Sequence, residues 1–406
     1  MAVGISDAKE LLPVAGVTLA TAAAGIRYQD RDDMALLLLD ERANTAAVFT
    51  RNRFCAAPVL VAQRHLAAVR PRALLINSGN ANAGTGSAGM QDAEACCSQL
   101  AGLLDIDPNQ VLPFSTGVIG EVLPMTAIKR GIAELSGHLE ADNWLAAARA
   151  IMTTDTVSKG VSCQFDMNGE TITITGIAKG SGMICPNMAT MLSYVATDAA
   201  IEQPLLDKLL QRACDASFNR ITVDGDTSTN DALVLVASGV VGKTMLERAD
   251  QPEAELFYQH LEQVLVTLAT AIIRDAEGAT KFVKVEVQGA HCPADAIAVA
   301  YSVAHSPLVK TALFASDPNW GRILAAVGKA DVSKLDVERV DIQINGQALL
   351  TQGQPSPDYN EALGQQLFGE AEIEITINLN QGAGRHHIWT SDLSQDYVSI
   401  NADYRS

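Results

Sequence analysis

Over the first sixty residues the apolar positions come in short runs, LLLLD and TAAVFT among them, divided by charged turns. This spacing predicts an opening sheet over 16–60. Residues 73–76 read as a buried strand that enters a Gly/Asn-rich loop, NSGNANAGTG, before a helix over 87–104. Such a strand-to-helix loop can cradle an anion, but it lacks both nucleotide-binding glycine patterns, so a structural turn is the stronger reading. Helices are expected over 125–138, with Pro124 as the N1 residue, and over 143–152. A hairpin follows, with arms at 161–165 and 171–177 turned at Asn168-Gly169. Farther on, a helix over 204–217 leads to strands at 220–223 and 232–237. A long amphipathic helix over 252–274 comes next, with Gly278 as its C-cap. A strand over 281–287, a helix over 293–305, the DPNWGR loop and strands over 340–344 and 372–378 predict a second, smaller α/β layer.

Composition narrows the function classes. The chain has 406 residues, enough for two or three lobes with a sizeable core. With 29 basic against 47 acidic residues its net charge is −18, which argues against nucleic acid or an anionic membrane as a partner. Its N-terminal stretch has no apolar run of signal-peptide length, and no segment reaches the roughly 18 uninterrupted apolar residues of a membrane span. The expectation is therefore a cytoplasmic protein. Seven cysteines, odd in number and without CxxC spacing, point to neither a disulfide framework nor a zinc site. The run from Asp224 to Asp231 has the acidic spacing of a calcium loop, yet its twelfth position is Leu235 where the loop needs Glu. No metal is expected.

The candidate chemistry centres on KGSGMICPNMATMLSYVATD, from Lys179 to Asp198. A threonine hydroxyl is a weak nucleophile, and one remedy is to make it the first residue of a chain so that its own α-amine serves as base. A cut between Ala189 and Thr190 would do this, and the small Ala189 leaves the preceding carbonyl open to attack. Read alone, however, the stretch fits a Gly-rich turn before a buried element better. The Thr116-Gly117 pair, after a strand, could aim a hydroxyl and an N–H at one point as an oxyanion hole requires, or could equally be a type II turn. Lys179 could take a carboxylate or be a solvated loop charge. Glu277, at the end of a helix where a carboxylate is disfavoured unless paired, could hold an amine.

KGSGMICPNMATML resembles the self-cleavage segment of the ornithine acetyltransferase (ArgJ, glutamate N-acetyltransferase) family. STGVIG from Ser115, MTTDT from Met152, DAEGATK from Asp275, DPNWGR from Asp317 and the terminal NADYRS resemble family signatures in the same order. The resemblance implies an αββα sandwich with a smaller C-terminal α/β lobe, cut into an α chain (1–189) and a β chain (190–406). It implies Thr190 as nucleophile, Thr116 and Gly117 as the oxyanion hole, and Thr153, Lys179, Thr190, Glu277, Asn401 and Ser406 as substrate contacts, with the ends of both halves meeting at the site. The implied reaction moves an acetyl group from N2-acetyl-L-ornithine to L-glutamate in arginine biosynthesis. It needs no cofactor, and acetyl-CoA is left open as a second donor. The implied assembly is an α2β2 heterotetramer. Two other readings remain: a self-processing amidohydrolase or aminopeptidase in which water is the acceptor, and an uncleaved amino-acid-binding or scaffold protein. This chain departs from the family at QGAGRHHIW, where His386 and His387 replace small residues, and mildly at Cys185. Adjacent histidines on a strand face opposite ways, so a joint metal site is not expected.

Overall fold

The computed structural model describes residues 2–185, 191–332 and 334–402. The chain divides into a larger unit, Ser6–Asn219 with Asp226–Ile272, and a smaller one of Met1–Ile5, Arg220–Gly225 and Ile273–Ser406. In chain order the larger unit holds β1 (Val17–Ala22), β2 (Met34–Leu39), β3 (Asn44–Phe49), α1 (Ala57–Ala68), β4 (Ala73–Asn80), α2 (Gly86–Leu104), β5 (Val111–Val118), α3 (Met125–Leu135) and α4 (Trp144–Ala150). It continues with β6 (Lys159–Met167), β7 (Glu170–Lys179), β8 (Leu192–Thr197), α5 (Gln203–Ala216), β9 (Ala232–Ala237) and α6 (Pro252–Arg274), whose last residues pass into the smaller unit.

These strands form two sheets, β1-β2-β4-β5 and β3-β9-β8-β7-β6. Alternation along each strand decides what lies between them, because successive side chains point to opposite faces. Leu74 and Ile76 of β4, Leu112 and Phe114 of β5, Ile177 of β7, Tyr194 of β8 and Val234 and Val236 of β9 share one core, so the sheets pack face to face. Phe114 meets Tyr194 edge-on across that core, with ring centroids 5.2 Å apart. The opposite residues of the first sheet, Ala73 and Leu75 among them, pack against Cys97 and Leu100 of α2 and Ile128 and Ile132 of α3. On the outer face of the second sheet, α6 lies so close that a Cβ at Gly176 would sit 3.0 Å from Leu268. The order of layers is helix, sheet, sheet, helix. Strands covered on both faces should be apolar throughout, and every residue of β8 and β9 is buried.

Within the smaller unit run β10 (Phe282–Ala290), α7 (Pro293–Ala304), α8 (Pro307–Phe314), α9 (Trp320–Gly328), β11 (Asp341–Ile344), β12 (Gln347–Thr351), β13 (Gln354–Pro355), α10 (Glu361–Gly369), β14 (Glu372–Asn378), β15 (Gly384–Ser391) and α11 (Gln395–Ala402). Its sheet, β13-β12-β11-β14-β10-β15, buries Val283, Val285, Ile373, Ile375 and Ile342 against Val299 and Val303 of α7 and Ile323 of α9. Burial along β14 alternates strictly over its first four residues, as a sheet covered on one face requires.

The hairpin turn falls at Asn168-Gly169, both at positive φ (58° and 80°), which matches the right-handed twist of its strands. Other expectations are corrected. The opening strands divide between two sheets, because β3 pairs with β9 and not with β2. Residues 220–223 are no strand; Phe218–Arg220 is a 3-10 turn and Ile221 makes one isolated bridge to Trp389. Pro124 caps α3 from outside, with Met125 as the first helical residue. Helix α6 stops at Arg274, and Gly278 (φ 68°) belongs to the separate turn closed by the Ala279 N–H on the Ala276 carbonyl. The DPNWGR segment is only half loop, since α9 begins at Trp320.

The face-to-face core predicts that Leu37→Ala, at a site 1 % exposed, loses about 2–5 kcal/mol of unfolding free energy in urea. Val122→Ala, at a site 70 % exposed, should stay within about 0.5 kcal/mol of wild type. Equal losses would contradict the layer order.

Candidate active site

Strands β4 and β5 run parallel, and Thr116 and Gly117 lie at the carboxyl end of β5 opposite Ser78 and Gly79. Gly117 has φ 132°, and a Cβ there would stand 2.2 Å from the carbonyl carbon of Gly79, so no other residue fits. Polar side chains stitch this corner together. The Ser115 hydroxyl donates to Asn77 Oδ1 (2.6 Å), the Asn77 amide to the Asn80 carbonyl (2.9 Å), and the Ser78 hydroxyl to the Ala150 carbonyl (2.8 Å). The NSGNANAGTG loop is held in the same way, Asn82 donating to the Gly89 carbonyl and Thr85 to Asn82 Oδ1.

The turn after α4 meets the end of β7 through one carboxylate. Asp155 Oδ1 accepts from Lys159 Nζ (2.6 Å) and from the Gly180 N–H (2.7 Å), and Oδ2 accepts from the Thr153 N–H (3.0 Å). Both side chains of the Lys159–Asp155 pair are wholly buried. Burial alone would push the Asp155 carboxyl up; the charges of Lys159 and Lys179 and the Gly180 N–H outweigh it and bring the carboxyl down to about 2. Thr154 and Ser181 add a hydroxyl pair at 2.7 Å. Lys179, the last residue of β7, is 5 % exposed and is no solvated loop charge.

Asp231, just before β9, is also within range of the Lys179 charge. It accepts the Met191 N–H on Oδ1 (3.0 Å), while Oδ2 has no hydrogen-bond partner among the described residues. Burial pushes this carboxyl well above the usual carboxylate range, with the Lys179 charge opposing. Two carboxyls facing one lysine are thus driven in opposite directions, which is a mark of functional sites. Lys159 and Lys179 thus bring two buried side chains of basic type to the strand ends, where a carboxylate or other anion is the complementary partner.

Of the residues expected from the sequence, Thr116, Gly117, Thr153 and Lys179 all lie in the larger unit. Glu277 and Asn401 belong to the smaller one, where Asn401 Nδ2 donates to Glu277 Oε2 (2.8 Å). Glu277 is in the turn after α6 and directly precedes Gly278, whose Cβ would meet Ser394 and Tyr397 of the α11 segment. Ala189, Thr190 and Ser406 lie outside the described residues. His386 and His387 are half-buried and their rings lie 6.3 Å apart; burial first, then the Arg220 charge, brings both down to about 4. His387 rests edge-on against Trp389 and 3.1 Å from the Arg220 guanidinium. Sequence reasoning assigned no role to Asp155, Lys159, Asn230 or Asp231. The signal was present in DGDTSTND, where Asp231 directly precedes the apolar strand β9; MTTDT offered none of that kind for Asp155.

A sandwich of two sheets between helix layers, with a glycine-only Thr-Gly turn and buried lysines and aspartates at its strand ends, defines the class as an α/β enzyme of this layered architecture. The chain belongs to the ArgJ family, whose sequence profile matches residues 18–406. It is an acetyltransferase of arginine biosynthesis. Among solved structures it is similar to the arginine biosynthesis bifunctional protein ArgJ of Bacillus halodurans, at 40% identity over 50% of this chain and 95% of that one, with a TM-score of 0.48. It is also similar to the ornithine acetyltransferase of Mycobacterium tuberculosis solved with ornithine, at 35% identity over 43% of this chain and 93% of that one, with a TM-score of 0.37. A third structure, the L-aminopeptidase D-Ala-esterase/amidase of Ochrobactrum anthropi, is 10% identical over 68% of this chain and 88% of that one, at a TM-score of 0.40.

Removing the carboxylate that neutralises the lysines tests the site's electrostatics. Asp155→Ala should cost about 3–5 kcal/mol at pH 7, since it removes one partner of the wholly buried Lys159–Asp155 pair. The folded carboxyl of Asp155 is held near 2, below the roughly 3.9 of an unfolded aspartate. Its contribution is therefore complete above about pH 4 and disappears as pH falls through 2. Urea unfolding from pH 7 to pH 2 should show the gap between wild type and variant closing over that window. A gap that is absent at pH 7 would contradict the account.

Proposed function

We propose that this enzyme cuts itself between Ala189 and Thr190 and then carries an acetyl group on Thr190 from N2-acetyl-L-ornithine to L-glutamate. The observation that carries the reading is the fixing of the chain immediately after Thr190. The Met191 N–H is held by Asp231, and Leu192 opens β8 in register with Lys179 of β7. A cut at 189–190 would leave strands of one sheet on both sides of the break, so the new threonine end would stay anchored.

In the first half-reaction the Thr190 hydroxyl attacks the acetyl carbonyl and its proton passes to the Thr190 α-amine, whose reference pKa of about 7.7–8.0 suits a base near neutrality. Thr116 and the Gly117 N–H receive the oxyanion. The bond from carbonyl carbon to ornithine nitrogen then breaks, the proton goes to the leaving amine, and an acetyl ester remains on Thr190. In the second half the glutamate amine attacks that ester, the bond to the Thr190 oxygen breaks, and the hydroxyl recovers its proton. Lys179 takes a substrate carboxylate, a role supported by its burial, where an ammonium group attracts an anion more strongly than at a surface. Thr153 lies beside it through Asp155, and Glu277, Asn401 and Ser406 are assigned to the rest of the substrate, the carboxylate of Glu277 to an amine. This cycle calls for no cofactor. We also place the enzyme in the cytoplasm as an α2β2 assembly of two cleaved pairs; among the described residues no cysteine is in a disulfide, which fits a reducing compartment.

Intact mass under denaturing conditions tests the proposal. Wild type should appear as two fragments, 1–189 and 190–406, and brief exposure to N2-acetylornithine should add one acetyl group to the second fragment alone. Thr190→Ala should remain one chain. Acetylation by acetyl-CoA alone would add direct synthesis of N-acetylglutamate to the activity. A wild type that stays whole removes the free α-amine and with it the mechanism.

A further inference from the structure

Asn230 and Asp231 end the loop before β9, and the acetyl-transfer steps above leave both side chains unused. Asn230 spends both amide hydrogens on carbonyls of the first sheet's corner, Ala81 at 2.7 Å and Ser115 at 2.9 Å. Ser115 directly precedes the Thr116-Gly117 turn. Asp231 reaches the other way and accepts the N–H of Met191, the residue after Thr190. Its own carbonyl accepts from the Thr50 N–H (3.0 Å) at the end of β3. Both side chains are more than nine-tenths buried. With Asn230 bonded to the first sheet's corner and Asp231 to the residue that leads into β8, one dipeptide grips both sheets.

We propose that Asn230-Asp231 is a positioning element that fixes the oxyanion turn and the nucleophile at their working separation, Asn230 through Ser115 and Asp231 through Met191. The inference rests on the reading of Thr190 as nucleophile. It places neither residue in contact with substrate. Effective molarity in acyl transfer depends on sub-ångström placement, and a displacement of about 1 Å costs on the order of 10²-fold in rate. Loss of either grip should therefore slow acylation while substrate affinity, set by other groups, persists.

The test uses the full-length enzyme and its Asp231→Ala, Asp231→Asn and Asn230→Ala variants. Three quantities are read: the melting temperature, the rate of single-turnover acetylation of the 190–406 fragment by N2-acetylornithine, and KM. Asp231→Ala and Asn230→Ala are expected to acetylate on the order of 10²-fold more slowly, with KM within about twofold of wild type. Asp231→Asn keeps an oxygen able to accept the Met191 N–H and should recover most of the rate. Wild-type rates in Asp231→Ala, or Asp231→Asn as slow as a folded Asp231→Ala, would overturn the inference. If Asp231→Ala does not fold, the other two variants decide: slow Asn230→Ala with rescued Asp231→Asn supports it, and any other pattern overturns it. A wild type that takes no acetyl group instead overturns the Thr190 reading and this inference with it, which separates that failure from a failure of the dipeptide alone.

Discussion

Asp155 holds three parts of the chain at once, and the arrangement of the larger unit's strand ends depends on it. Its carboxylate neutralises the wholly buried Lys159, receives the Gly180 N–H just past β7, and receives the Thr153 N–H in the turn after α4. Buried charge is tolerated only when paired and hydrogen-bonded. The same requirement fixes geometry, because a carboxylate with these partners has no freedom to turn. Lys179 therefore leaves its strand in one direction, and the Gly-rich segment that follows starts from a defined point.

Around this anchor the site works by contrast. The charges of Lys159 and Lys179 and the Gly180 N–H hold the Asp155 carboxyl down against its burial, whereas at Asp231 burial prevails and pushes the carboxyl well above the usual range. Lys179 lies in a region shielded from water, where electrostatic attraction to a carboxylate is stronger than at a surface. The Thr-Gly turn brings a second constraint of a different kind. Gly117 approaches the Gly79 backbone so closely that the turn's shape is dictated by backbone sterics. Rigid donors of that sort need no reorganisation when charge develops on an oxyanion.

How much of this could be read from sequence follows the physics of each feature. Helices with long apolar periods, such as α6, and the Asn168-Gly169 turn were legible because their signals are local. The division of β2 and β3 between sheets was not, since pairing with β9 some 190 residues away is set by tertiary packing. Lys179, Thr116 and Gly117 could be named only through a family resemblance, as each local motif also describes an ordinary turn. Asp155 and Asp231 escaped notice for the same reason in reverse. An aspartate in a polar loop looks solvated, and only the fold shows that both are buried and gripping backbone N–H groups.

A transferase and a hydrolase can share everything described so far up to the acyl-enzyme; they differ in whether glutamate or water takes the acetyl group. The most direct measurement is the fate of the label when N2-acetyl-L-ornithine carrying an isotopically marked acetyl group is turned over in the presence of L-glutamate. The account predicts that the label appears in N-acetylglutamate faster than in free acetate. Release of labelled acetate faster than transfer would contradict it.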